Sequence, residues 1–165
     1  MSGDSELVER PFTADKKDYP YDSREIANWF IRRGLDENQP LSLLKLIKLI
    51  YIAHGWSLAI REKPLIIDRI EAWERGPVVP PVYYAFRPFG VKQTATFGMN
   101  EAGIDAETQD LLSAIYGNYK DLTGQQLSEL THLPGSPWAR IIQTKGRFAE
   151  IPHELISQHY KELME

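Results

Sequence analysis

The residues best equipped for chemistry in this chain are scattered rather than gathered. Four histidines occur, His54, His132, His153 and His159. None stands in a His-Glu-x-x-His pair, and His153 and His159, six apart, face different sides of a helix. Glu71 and Glu74 are three apart. On a strand they would point to opposite faces, so they make no paired carboxylate site. No Gly-x-Ser-x-Gly elbow supports a serine nucleophile, and Gly135-Ser136-Pro137 reads as a helix cap. No glycine-rich phosphate cradle is present. The chain lacks cysteine, which removes a thiolate nucleophile, a disulfide framework and a cysteine-based zinc site. These absences give no support for an enzyme, a metal or a cofactor, and none is expected.

The densest polar-aromatic cluster is Glu71-Ala-Trp-Glu-Arg-Gly-Pro-Val-Val-Pro80. It can be a strand, a tight turn and a proline-led helix start, with Trp73 in the core. The alternative, which enriched residue types support only weakly, is a surface loop in which Trp73, Arg75 and Tyr83 anchor a partner, since Trp, Tyr and Arg are the types enriched among interface anchors. Lys45 and Lys48 leave three readings open. They form the solvated edge of an apolar helix, or they pair with Glu71 or Glu74, or they make a small anion patch. His54 falls on the packed side of that helix and reads as a satisfied structural histidine. Lys45, Lys48, His54 and Glu71 are together expected to be a structural polar cluster.

The element that must position these residues is Ser42 to Arg61, the longest apolar run. At about 100° per residue, Lys45, Lys48 and Gly55 share one narrow sector and apolar residues fill most of the rest. A helix apolar nearly all round is buried by its neighbours. Its two lysines and modest length argue against a membrane span. Before it, Asp22 and Glu25 stand in capping-box spacing ahead of a helix over Ser23 to Arg33, stopped by Gly34. After it, Lys63-Pro64 ends the helix, a short strand is expected at Ile70 to Glu74, and Gly76-Pro77 reads as a turn. A proline-led helix follows from Pro80 or Pro81 to near Arg87, then an irregular connector from Val91 to Gly103. Asp105 to Lys120 is an amphipathic helix. Thr123 with Gln126 caps another short helix, and Ser136-Pro137 opens a further one. Lys145 to Ile151 offers a second strand to partner Ile70 to Glu74, and Pro152 starts a last helix. The expectation is a mainly α, compact single domain built around a buried central helix, with a small two-stranded β element.

Residues 1–20 are polar and read as a flexible tail ahead of a domain over residues 21–165. Alternatively the tail orders on a partner, or Phe12, Tyr19 and Tyr21 pack on the domain edge. With 165 residues, 42% of them apolar, a single sizeable core is affordable. A net charge of −4 supplies no global basic field for nucleic acid. The start of the chain lacks the apolar core of a secretory signal, so a soluble, cytoplasmic protein is expected.

Three blocks then point to a family. Ser42-Leu-Leu-Lys-Leu-Ile-Lys-Leu-Ile-Tyr-Ile-Ala-His-Gly-Trp56, Glu71-Ala-Trp-Glu-Arg-Gly-Pro-Val-Val-Pro80 with Tyr83, and Leu127-Ser-Glu-Leu-Thr-His132 with Ser136-Pro-Trp138 resemble, in order and spacing, the signature segments of the Panacea domain. This is the SocA-like antitoxin family, often described as phage-associated or GepA-like. Two positions depart from the pattern: Ile47 stands where a polar residue is common, and His54 where glutamine is common. The resemblance implies a bacterial or phage toxin–antitoxin context, and a partner that is a cognate toxin encoded by the adjacent gene. It implies a binding surface rather than a catalytic pocket, with Trp73, Arg75 and Tyr83, and the tail aromatics Phe12, Tyr19 and Tyr21, as candidate contacts. Holding the toxin for a protease is an alternative route to neutralisation. A DNA-binding regulator is a competing class, disfavoured by the acidic balance and the lack of a basic recognition helix.

Overall fold

A computed structural model describes residues 20–89, 92–93 and 103–165. Seven α-helices and four very short strands are present among the described residues. Helix α1 (Ser23–Asp36) is followed by β1 (Leu41–Ser42) and by the central helix α2 (Leu43–Trp56). A π-helical turn, Ser57–Arg61, continues α2, and the left-handed Glu62 ends it. Strands β2 (Glu71–Trp73) and β3 (Gly76–Val78) lead into α3 (Pro80–Phe86), a 3₁₀ turn at Arg87–Phe89 and β4 (Lys92–Gln93). Helices α4 (Ala106–Tyr119), α5 (Gly124–Thr131), α6 (Pro137–Lys145) and α7 (His153–Leu163) complete the chain.

Helix α2 is the axis of the molecule, packed by α1, α3, α4, α5 and α7. Its residues 46 to 55 are all buried. Together with its π turn it is 19 residues long and apolar enough to cross a membrane, but 72% of that stretch is buried inside the protein. Burial, rather than length or the two lysines, is what marks it as a core helix. Gly55 is required by this packing: a Cβ there would lie 2.3 Å from the ring of Tyr160 on α7.

Local capping chemistry sets the helix starts. Ser42 accepts from the Lys45 amide, Asp105 from Thr108 and Ser136 from Ala139, while Thr123 and Gln126 form a complete capping box. At α1, Asp22 accepts from the Arg24 amide and its carboxylate is gripped by the Arg24 guanidinium at 2.7 Å. Gly34 does not stop α1, which runs on to Asp36. The glycine is there because a Cβ would meet the Gln39 carbonyl oxygen at 2.8 Å.

The β structure departs from expectation. Gly76-Pro77 is not the turn but the start of β3, which pairs antiparallel with β2 in the register Glu71–Val78, Ala72–Pro77 and Trp73–Gly76. The turn is Glu74-Arg75, so Glu74 is not on a strand. Pro77 can sit in the ladder because β3 is a short edge strand. The expected partner segment does reach β2 from its other side. Ala72 donates to the Ala149 carbonyl and accepts from Phe148, and Ile151 donates to Ile70. Within the connector, Lys92–Gln93 pairs with β1, an interaction only the folded chain reveals; residues 94–102 lie outside the described part.

Candidate functional site

Lys48 lies at the junction of α2 and the hairpin. It is fully buried, at 0% exposure, and its Nζ donates to the Pro77 carbonyl at 2.7 Å. No carboxylate among the described residues pairs with it, and burial holds its pKa down to about 7. Gly76 makes the approach of the hairpin possible. Its φ is +117°, and a Cβ would come within 3.0 Å of the lysine Nζ. Ser128 on α5 ties the turn down by donating to the Arg75 carbonyl.

The solvated-edge reading of the lysines therefore fails at Lys48, and neither lysine pairs with Glu71 or Glu74. Lys45 is half-buried and donates to the Lys120 carbonyl at the end of α4, its pKa lowered by burial. Glu71 accepts from Trp73 Nε1 at 2.9 Å and pairs with Arg69 at 3.2 Å. His54 lies at the other end of α2, at 0% exposure. The four residues are thus not one polar cluster: each is drawn to a different neighbour by the elements that pack around α2. His54 is a satisfied structural histidine, as its position on the helix suggested. Its Nδ1 accepts from the Leu65 and Ile66 amides at 3.2 and 3.4 Å, which leaves the ring proton on Nε2, 3.1 Å from His153 Nδ1. Desolvation, and then His153, push its pKa down to about 3.

The hairpin presents an aromatic face. Trp73 is half-buried, and Trp138 Nε1 donates to its carbonyl at 2.6 Å. The Trp73 ring meets Tyr83, Phe148 and Tyr84 edge-on, with centroids at 5.1, 5.6 and 6.2 Å. Tyr84 and Phe148 are 57% and 55% exposed. Phe148 holds a left-handed backbone, φ 68°, which is costly for a bulky residue. Hydrogen bonding to Ala72 fixes it there. Arg87 lies over both tyrosines, 5.5 and 5.6 Å from their centroids, and Arg147 lies 5.6 Å from that of Phe148. Beside this face runs a groove of about 400 Å³. Leu43, Leu44 and Ile47 of α2 line it, with Lys48, Trp73, Glu74, Arg75, Val78 and Tyr83.

The structure thus brings Trp73, Arg75 and Tyr83 to one surface. It does not bring Tyr21 there: that side chain is only 7% exposed and its hydroxyl bonds to the Asp105 carboxylate. Tyr21 belongs to the buried core, and its backbone bridges to Ile66. Phe12 and Tyr19 lie outside the described residues. Tyr84 and Phe148 were missed by sequence reasoning. The Tyr83-Tyr84 doublet after two prolines was a visible signal, whereas nothing local marks Phe148. No cluster of three or more metal-ligating residues occurs among the described residues.

Residues 46–139 match the family described as antitoxin SocA-like, Panacea domain. The chain belongs to this family. It is similar to the antitoxin SocA of Caulobacter vibrioides (strain NA1000 / CB15N), with 29% identity over 147 residues covering 82% of this chain and 77% of that protein. No solved structure matches it. The Panacea-family match takes in α2 from Leu46, the whole hairpin and α3 to α5, and so contains Lys48, Trp73, Arg75, Tyr83 and Tyr84. Phe148 lies beyond it.

Proposed function

We propose that this protein is an antitoxin that neutralises a cognate toxin, encoded by the adjacent gene, by direct binding in the cytoplasm. The observation that carries the reading is the hairpin face. Two large aromatics are more than half exposed there, around a half-buried tryptophan and beside an apolar groove. Exposed aromatics flanked by arginines match the residue types that dominate protein interfaces. The surface is pre-formed: Trp73 is held by Trp138, the turn by Ser128, and the hairpin by Lys48. Less ordering entropy is then lost on binding. Tight neutralisation needs an interface of roughly 1,600 Å² in total, and a few anchors carry most of its energy.

Co-expression with the product of the neighbouring gene tests this. The protein should restore growth and co-purify with that product, and Arg75→Glu or Tyr83→Ala should weaken binding about 10-fold or more with the fold intact. Full rescue and undiminished affinity in both variants would move the contact site elsewhere.

A further inference from the structure

We infer that the aromatic face built by the hairpin, α3 and residues 147–150 receives an acidic segment of the toxin, in which carboxylates flank a large apolar side chain. Arg75, Arg87 and Arg147 take the carboxylates, while Tyr84, Phe148 and the adjoining groove take the apolar side chain. This inference rests on the antitoxin reading above and names the chemistry of what that surface holds.

Exposed charge selects the occupant. The carboxylates of the hairpin and of residues 147–150 are Glu71, Glu74 and Glu150. Arg69 pairs with Glu71 at 3.2 Å and lies 4.0 Å from Glu150, which leaves Glu74. Against it stand Arg75, Arg87 and Arg147, all exposed. Their guanidinium groups form no ion pair or hydrogen bond with a described residue. The face is therefore net positive on a chain whose net charge is −4. Two of these cations are also pre-positioned: Arg87 lies over Tyr83 and Tyr84, and Arg147 over Phe148. A guanidinium held against a ring loses rotamer freedom but keeps its fork of N–H donors, which matches a carboxylate in a bidentate pair. The rings themselves are the apolar half of the site, with Tyr84 and Phe148 more than half exposed. The groove walled by Leu43, Leu44 and Ile47, about 400 Å³, has room for one large side chain. A basic segment would be repelled, and a wholly apolar one would cover the guanidinium groups without pairing them, which is unfavourable. A continuous polyanion such as nucleic acid would meet Glu71, Glu74 and Glu150 as it crossed the face; carboxylates at separate points avoid them.

The test measures affinity for the neighbouring gene's product by titration calorimetry, with the melting temperature of each variant as a check on the fold. Arg87→Gln combined with Arg147→Gln should weaken binding about 30-fold at an unchanged melting temperature. Arg87→Lys combined with Arg147→Lys keeps the charge and the stems, and should weaken it only about threefold. Glu74→Gln should tighten binding about threefold, by removing a like charge from the carboxylates' path. Arg147→Glu should bind poorly, and changing the product's Asp and Glu residues to Lys one at a time should find a swap that restores its affinity. Absence of any restoring swap would overturn the proposal, as would weaker binding by Glu74→Gln, the sign of a cationic occupant. Weak binding by Tyr84→Ala with wild-type affinity in the glutamine pair would also overturn it, leaving the antitoxin reading in place. So would a single-stranded oligothymidylate that binds the wild-type protein and not the glutamine pair, since the arginines would then serve nucleic acid. If the wild-type protein neither binds the product nor rescues growth, the antitoxin reading falls and takes this inference with it.

Discussion

Lys48 and His54 are both bases that folding strips of water, and each leaves a mark on stability. Lys48 titrates near 7 when folded and near 10.5 when unfolded. Between those values the unfolded chain holds the extra proton, so stability rises with pH. From pH 7 to pH 9 the gain is about 2 kcal/mol, and urea unfolding across that range should lose it in Lys48→Met. An unchanged slope in that variant would show that the lysine is not the buried base described. His54 works in the acidic range. Its folded pKa of about 3 lies below the ordinary 6.5, so its contribution is complete above pH 6.5 and drains away as pH falls toward 3. Between pH 7.5 and pH 4.5 the loss is about 3 kcal/mol. Glutamine can accept from the Leu65 and Ile66 amides and donate to His153 without titrating. His54→Gln should therefore remain folded and show a flatter acid limb in chemical denaturation, leaving the contributions of His159, whose pKa burial also lowers, and, at lower pH, of Asp22 and Asp105, whose carboxyl pKa values the fold holds down.

Elements in this protein are joined where a small residue lets backbones or rings approach. Gly55 on α2 is the sharpest case. Alanine is intrinsically better in a helix by about 1 kcal/mol, but its methyl would be driven into the Tyr160 ring. Overpacking of that kind costs about 3 kcal/mol, so the clash wins. Gly55→Ala should lower the melting temperature by several degrees, on the order of 5 °C; a rise would mean that α7 shifts freely. The same principle explains why helices were easier to read than strands. Ser42, Thr123 with Gln126, and Ser136-Pro137 are caps written into adjacent residues, and each forms as its spacing suggests; Asp22 caps through the Arg24 amide rather than in the box its spacing with Glu25 suggested, and Asp105, read as the first helical residue, is itself the cap. The hairpin was misread because β pairing is decided by what lies opposite. Gly76 and Pro77 look like a turn in isolation, and become a strand only when Lys48 and Ala72 are there to receive them. Gly34 misled for a related reason: its stop-like identity reflects a close contact with Gln39, which sequence does not display.

At the scale of the whole molecule, one helix carries the fold and a hairpin laid across its start carries the surface. Amides of α2 between Ile47 and Ala53, enclosed on all sides, should exchange hydrogen only through global unfolding. Those of β3, on an edge, should exchange faster. Equal protection across both would mean that the hairpin is as deeply locked as the core. Sequence alone determined the central apolar helix, the helices with local caps, the mainly α class and, through three spaced blocks, the family. It also put Trp73, Arg75 and Tyr83 forward together, because they are neighbours in one segment. Tertiary structure decided the rest: that Lys48 is sealed rather than solvated, that Tyr21 is core, and that Phe148 joins Trp73 across seventy-odd residues. Caps and periodicity act over a few residues and so are visible in order. Burial and pairing depend on which distant surfaces meet, and only the folded chain brings those surfaces together.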